Sequence, residues 1–511
     1  MTIASGARLT VVLSGSAFWI DVFRDVGHGA TVVGALVDDR IAEDFSIAHP
    51  DARVFLGNDL KFGLFDRRHG APTPTSIKKS ASYLLRERQA LYSMQRLESG
   101  GSVEFPVREH YLSAMTDYFW SFIEVKRPTH LLLSEAPHTP ECLILSGLFE
   151  SSGLPILQFE QCGILPRARV SFWPSYSDFE LSSEKLNLLT QAESDSLRNV
   201  TKRFELSERT NVESERLREE GRYFGGFKGL VRRFFIPFSM RRDEQLQTEK
   251  FFAGGLRDAH PRTLHSLKPP IRTIRQIVLP SFGLVVRQWR QLRRIRLRSE
   301  TSRLPSGPFA TYFLHFEPER TSMPDGGVFA DQLFAIRSIA ASLGQRLPLV
   351  VVEHPSQAGL ALRGFRSRRE HFYDEIMAIP GVFLVSRDVE REQIFSSSKM
   401  IITLTGTVAL EAVSRGVPVL CLGYPWYRGL EGVTLCDASE GLSEAIDTCL
   451  SGSSRASCDF ERSLVKLLEA RFLPLVLNPS NRHRFDEPEP AIGEVRRLIG
   501  EFLRVKVVGG A

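Results

Sequence analysis

The stretch TLTGTVALEAVSRG, which begins at Thr403, sets small hydroxyl residues and a glycine where an apolar strand pattern gives way to a helical one. At that corner Thr405, Gly406 and Thr407 can offer hydroxyls and backbone amides to a phosphate, and Gly406 permits close approach of the backbone. Glu411 lies four residues past Thr407, one turn into the helix on the same face, where a carboxylate can accept bonds from ribose hydroxyls. The same residues also have a plain structural use, with a threonine capping the helix and Glu411 on the surface. A second strand pattern, LPLVVVEHP, ends in His354 and Pro355. An imidazole there can donate to a nucleotide phosphate and, when protonated, stabilise charge on a leaving group; it can equally be a structural hydrogen-bonding group. Glu317 and Glu319 flank a proline in HFEPERTS. The extended backbone favoured there directs both carboxylates the same way. They can bind hydroxyls, act as a base, pair with Arg320, or simply belong to a charged loop. Ser322 and the Gly326–Gly327 pair form a polar, flexible entry to the next helix and a further phosphate contact.

Other chemistry-bearing residues collect near the start of the chain. Ser14, Gly15 and Ser16 fall at a first strand-to-helix turn, with Asp21 further along the helix. Glu135 ends the strand pattern THLLLSE, where a carboxylate can take a proton from a hydroxyl as general base or cap a helix. His138 can share or replace that role. Gln158, Glu160 and Gln161 close the next strand and can bind hydroxyl groups. There is no GxxxxGK[ST] loop, no HExxH helix and no GxSxG elbow, which removes the nucleoside triphosphatase, zinc-protease and α/β-hydrolase readings. Asp38 and Asp39 are adjacent and no DxD pair ends a strand, so no metal and no cofactor is expected.

The elements that must position these groups alternate. RLTVVLSGS and ATVVGALVDD read as buried strands, THLLLSE, a helix and LPILQFEQ as a parallel crossover. From Pro308 strand and helix patterns recur, in PFATYFLHF, LPLVVVEHP, MIITLTGT and PVLCLG, with a last helix near Ala491 to Arg504. A chain of 511 residues exceeds one hydrophobic core. The expected fold is α/β, with two Rossmann-like lobes facing a cleft and a helical, basic insertion between them. The expected limits are 1–173, 174–306 for the insertion, 307–490, and 491–511 for a terminal helix and tail. With 42% hydrophobic and 24% charged residues, an ordinary globular composition is met. The first residues lack a secretion-signal pattern, so a cytoplasmic protein is expected. Six scattered cysteines without a CxxC pair are expected as buried thiols. The net charge is only +5, yet residues 227–303 interleave arginine with Phe, Trp, Leu and Val. That segment suits an anionic membrane surface as a peripheral contact, or a solvated arginine face, and makes nucleic acid the lesser partner.

Taken together, HFEPERTSMPDGG, VVVEHPSQ, HFYDEIMAIPGVFLV and TLTGTVALEAVSRGVPVLCLGYPWY resemble the C-terminal half of the capsule polysaccharide biosynthesis family. These are bacterial glycosyltransferase-like proteins of the two-lobed GT-B type, some of them similar to enzymes that transfer Kdo from CMP-Kdo. The resemblance implies a nucleotide-sugar donor in the C-terminal lobe, held by His354, Pro355, Thr405, Gly406, Thr407, Glu411, Glu319 and Ser322. It also implies a glycan or lipid-linked glycan acceptor on the N-terminal lobe near Ser14, Gly15, Ser16, His138 and Gln158. Glu135, His354 and Glu317 are then the catalytic candidates of a metal-independent glycosyltransferase. Two other readings share the architecture: a non-catalytic capsule assembly or export factor, and a sugar-nucleotide epimerase.

Overall fold

The computed structural model describes residues 6–24, 30–61, 65, 72–97, 105–179, 188–205, 290, 304–317, 319–354, 357, 368–369, 371–385, 391–451, 459–477 and 492–505. The basic segment 227–303, apart from Arg290, and Pro355 lie outside the described residues. The chain forms two compact units, Met1–Thr190 with Glu244–Pro269 and Leu468–Ala511, and Gln191–Asp243 with Pro270–Leu467.

In the first unit the strands are β1 (Arg8–Leu13), β2 (Thr31–Val37), β3 (Arg53–Leu56), β4 (His130–Leu133), β5 (Ile156–Gln161) and β6 (Arg167–Trp173). The first five run parallel in the order β3-β2-β1-β4-β5. Their Val, Leu and Ile runs are buried on both faces, as parallel strands covered by helices must be. On one face Gly34 makes room for the helix Phe105–Lys126, since a Cβ there would stand 2.3 Å from the Phe122 ring. On the other, Trp19, Phe23, Phe159 and Phe502 share one core.

The second unit contains β7 (Phe309–Phe313), β8 (Leu349–Val352), β9 (Val382–Val385), β10 (Ser398–Thr403), β11 (Val419–Cys421) and β12 (Val433–Leu435). All six are parallel, in the order β9-β8-β7-β10-β11-β12. This is the doubly wound order of a Rossmann sheet, in which connections leave the two central strands in opposite directions and open a crevice at their carboxyl ends. The fold is therefore α/β with two Rossmann-like sheets, the second all parallel and the first parallel over β1–β5. Among the described residues no helix is long and apolar enough to cross a membrane.

The expected limit at 490 is corrected. After the helix Phe460–Arg471 the chain adds β13 (Phe472–Pro474) antiparallel to β6, which itself runs antiparallel to β5, so residues from 468 onward build the first unit. The helix Ile492–Phe502, predicted near Ala491 to Arg504, then buries Val495, Leu498, Ile499 and Phe502 in the core of that unit. Arg496 donates to the carbonyls of Asp21 and Val22 at the end of the helix Phe18–Phe23, a cation where the helix dipole is negative. Of the expected insertion, 174–306, the described part includes the helix Gln191–Glu205. Removing the fully buried Phe472 side chain in Phe472→Ala should lower stability by about 3–5 kcal/mol, read by chemical denaturation of the full chain. A change below about 1 kcal/mol would mean that β13 contributes little to the first unit.

Candidate functional site at the switch point of the second sheet

The loops that leave β7 and β10 meet where the sheet changes winding direction. Two residues past β7, His315 is buried, and its Nε2 accepts the backbone N–H of Thr405, two residues past β10, at 3.1 Å. Because Nε2 is the acceptor, the ring proton is placed on Nδ1. The Thr405 hydroxyl donates to the Thr321 carbonyl at 2.9 Å, a second tie between the same loops. Burial, followed by the nearby His354 and Arg368, pushes His315 down to about 3, so it is neutral at physiological pH.

The turn that follows is built on close approaches. A Cβ on Gly406 would lie 2.8 Å from the Thr403 hydroxyl and 3.1 Å from the His315 ring. The Gly406 carbonyl accepts the buried Tyr427 hydroxyl at 2.6 Å, which fixes the plane of the next peptide. Gly423, after β11, is closer still: a Cβ there would sit 2.4 Å from the Asp325 carbonyl. The loops after β7, β10 and β11 thus pack on one another through residues without side chains.

A buried ionic group braces the neighbouring strand ends. Arg368, 1% exposed, donates to Glu317 Oε2 at 2.7 Å, to Glu353 Oε1 at 3.1 Å and to the His315 carbonyl at 2.8 Å. Its guanidinium also lies 4.5 Å from the Phe372 ring centroid. Burial lowers its proton affinity, but the carboxylates of Glu317 and Glu353 outweigh that and hold it above the ordinary arginine value. Tyr373 donates to the second oxygen of Glu353 at 2.7 Å. Gln332 donates to Glu317 Oε1 at 2.7 Å and accepts the His315 N–H at 2.7 Å, while Gln357 brackets the Glu317 backbone. Both oxygens of Glu317 are thereby engaged. Glu319, by contrast, is exposed and accepts the Thr321 hydroxyl, so the two carboxylates have separate partners.

The other candidates fall as follows. His354 is half-buried at the end of β8, with its ring centroid 6.0 Å from that of Phe316. Burial, then the charges of Arg368 and Arg391, takes it down to about 4. The imidazole that touches the Thr405 corner is therefore His315, with His354 close enough to influence it. Thr407 is exposed and its hydroxyl does not cap the helix Val408–Ser414. Ser322 is buried and donates to the Glu319 carbonyl. Glu411 is buried rather than on the surface, 3.3 Å from Arg391.

In the first unit the equivalent switch point lies between β1 and β4. There the Ser14 N–H donates to the Ser134 hydroxyl at 2.7 Å and the Ser14 hydroxyl to the Leu477 carbonyl. Gly15 leaves room for the Arg40 guanidinium, and Ser16 is buried. Glu135 and His138 are half-buried beyond β4, His138 Nδ1 lying 3.1 Å from the Ala136 carbonyl. Gln158 is fully buried, and its amide nitrogen donates to Ser171 and Glu160. Sequence reasoning missed His315, Gln332, Arg368, Arg391 and Tyr427. His315 carried the signal used for His354, a histidine just past a strand; Arg368 carried none, because its partners are distant in the chain.

The sheets define an α/β protein of the doubly wound, Rossmann-like type. Within it, residues 321–441 match the model of the family described as capsule polysaccharide biosynthesis protein, a segment that contains TLTGT and begins near the end of HFEPERTS. No curated protein matches the sequence. Among solved structures, the chain is similar to the β-Kdo 2,7-transferase of Thermosulfurimonas dismutans KpsC, at 16% identity over 36% of this chain and 52% of that one, with a TM-score of 0.21. It thus spans about half the length of that transferase. The β-Kdo 2,4-transferase of the same KpsC is 11% identical over 67% of this chain and 79% of that one, with a TM-score of 0.24. The UDP-GlcNAc 2-epimerase of Methanocaldococcus jannaschii is 10% identical over 90% of this chain and 99% of that one, with a TM-score of 0.24.

Two outcomes follow from the electrostatics. Arg368→Met leaves two buried carboxylates without their cation and should cost about 3–5 kcal/mol by chemical denaturation; a loss under about 0.5 kcal/mol would contradict the brace. His315 and His354 bind protons in the folded chain only near 3 and 4, against about 6.5 when unfolded. The unfolded state therefore holds more protons between those values, and the stability they contribute is complete above about pH 6.5 and lost as pH falls through about 4 and then 3. Each adds a slope of up to about 1.4 kcal/mol per pH unit in that window. Denaturation between pH 5 and pH 7 should show a shallower slope for His315→Gln/His354→Gln than for the unsubstituted chain, and equal slopes would refute the assignment.

Proposed function

We propose that the chain is a glycosyltransferase that moves a sugar from a nucleotide-sugar donor, CMP-linked sugars being first among the candidates, to a bacterial surface or capsular glycan or its lipid-linked precursor. The observation that carries this reading is the meeting of His315, Thr405 and Gly406 at the β7–β10 switch point, with Thr405 and Gly406 inside the segment that matches the capsule family model and His315 just ahead of it. Crevices at such points receive nucleotides because loop amides converge there. In this reading the Thr405–Thr407 turn faces the donor phosphate and Tyr427 keeps its peptide in place. His354, neutral in the empty site, gains a proton beside a phosphate anion and stabilises the departing nucleotide. The charge of the leaving group is met by protein cations, in keeping with the lack of a DxD pair in the sequence. In the first unit Glu135 is the candidate general base for an acceptor hydroxyl, with His138 beside it.

A thermal-unfolding panel of CMP- and UDP-sugars tests the donor part. A true donor at a hundred times its dissociation constant adds about 2.7 kcal/mol, a rise of roughly 5–10 °C for a unit of this size. No shift with any nucleotide or nucleotide sugar would refute the proposal. Conversion of the nucleotide sugar without an acceptor would replace the transferase by an epimerase.

A further inference from the structure

The proposed donor site needs a cation for the phosphate, and its arginines are not equivalent. Arg368 is spent on two carboxylates and a carbonyl. Arg415 donates to the Glu411 carbonyl, pairs with Glu392 and lies over the Phe395 ring. Arg320 pairs with Asp325. Arg391, the first residue of the helix Arg391–Ser397, differs in both position and partners.

Its side chain lies at the end of β7, beside the helix that follows β10. The guanidinium carbon is 5.8 Å from the ring centroid of Phe313, the last residue of β7. Nη1 is 3.3 Å from Glu411 Oε1, one turn into the helix after β10. Its charge also reaches His354 at the end of β8. The Arg391 side chain is 28% exposed while that of Glu411 is 5% exposed, so the pair has a wet side and a dry side. Among the described residues Arg391 makes this one ion pair and no hydrogen bond, which leaves most of its five N–H donors unspent.

We propose that Arg391 receives the phosphate of the donor nucleotide, with Glu411 as the internal counterion that holds the guanidinium over the end of β7. The inference rests on the donor-site reading and changes one part of it, since Glu411 is assigned to the arginine and not to a ribose. A buried carboxylate favours a cation beside it, and Glu411 thereby holds the Arg391 guanidinium at 3.3 Å. Its exposed edge then meets a phosphate in the paired, planar geometry that guanidinium offers and ammonium does not.

Calorimetric titration of the full chain tests the assignment, with CMP against cytidine and UDP against uridine, and inorganic phosphate alone as a further probe. Arg391→Gln should weaken the nucleotide that binds by about 10- to 100-fold, the loss of one charge-assisted contact, and leave the matching nucleoside unchanged. Arg391→Lys should fall between the two. Because Arg391→Gln takes away the guanidinium 3.3 Å from Glu411, Arg391→Gln/Glu411→Gln, which removes both charges, must show the same selective loss with an unfolding transition near that of the unsubstituted chain. Variants that bind nucleotide as tightly as the unsubstituted chain, or lose nucleotide and nucleoside affinity equally, overturn the role of Arg391 while leaving the donor site standing. Failure of the unsubstituted chain to bind any nucleotide removes both.

Discussion

The guanidinium of Arg368 sits where a charge is costly, and everything at the carboxyl edge of the second sheet depends on how that cost is met. Two carboxylates, a carbonyl and an aromatic face surround it. Breaking such a group is far more expensive than forming it is favourable, because a lone buried ion has no solvent to turn to. The consequence is geometric. Glu317 lies beyond β7 and Glu353 beyond β8, so the arginine holds two strand ends at a fixed separation, and through the His315 carbonyl it also orients the imidazole that reaches β10.

The division between closed and open polar groups follows from this bracing. Glu317, Glu353, Arg368, Gln332 and Tyr373 bond to one another, and all but the partly exposed Glu317 are buried. Thr407, His354 and Arg391 retain exposure on the rim of the same network. Rigid buried polar groups supporting a few accessible ones is the arrangement that keeps a binding site preorganised. Gly406 and Gly423 belong to the supporting part, since each lets backbone come nearer than a side chain allows.

Much of this was legible beforehand, for stated reasons. The strands of both sheets that are buried on two faces announce themselves as apolar runs, and β1, β2, β4, β5, β7, β8, β10 and β11 were read that way. β6 was not, because it alternates Arg167, Arg169 and Ser171 with apolar residues, a pattern that mimics a solvent-facing strand. Its arginines are in fact buried, bonded to carbonyls and to Asp178. β13 escaped because three residues carry no period, and its place beside β6 is a contact between distant parts of the chain. The site was half legible on the same principle. Strand-end motifs pointed to Thr405, Gly406 and His354, whereas Arg368 acquires its meaning only when Glu317 and Glu353 are brought to it.

The most direct measurement is a crystal structure of the chain with the nucleotide that stabilises it most. The account places a phosphate oxygen about 2.7–3.1 Å from Arg391 and from backbone amides of the Thr405–Thr407 turn, with the His315–Thr405 bond intact. A nucleotide bound elsewhere, or one whose phosphate lies away from the ends of β7 and β10, would contradict it.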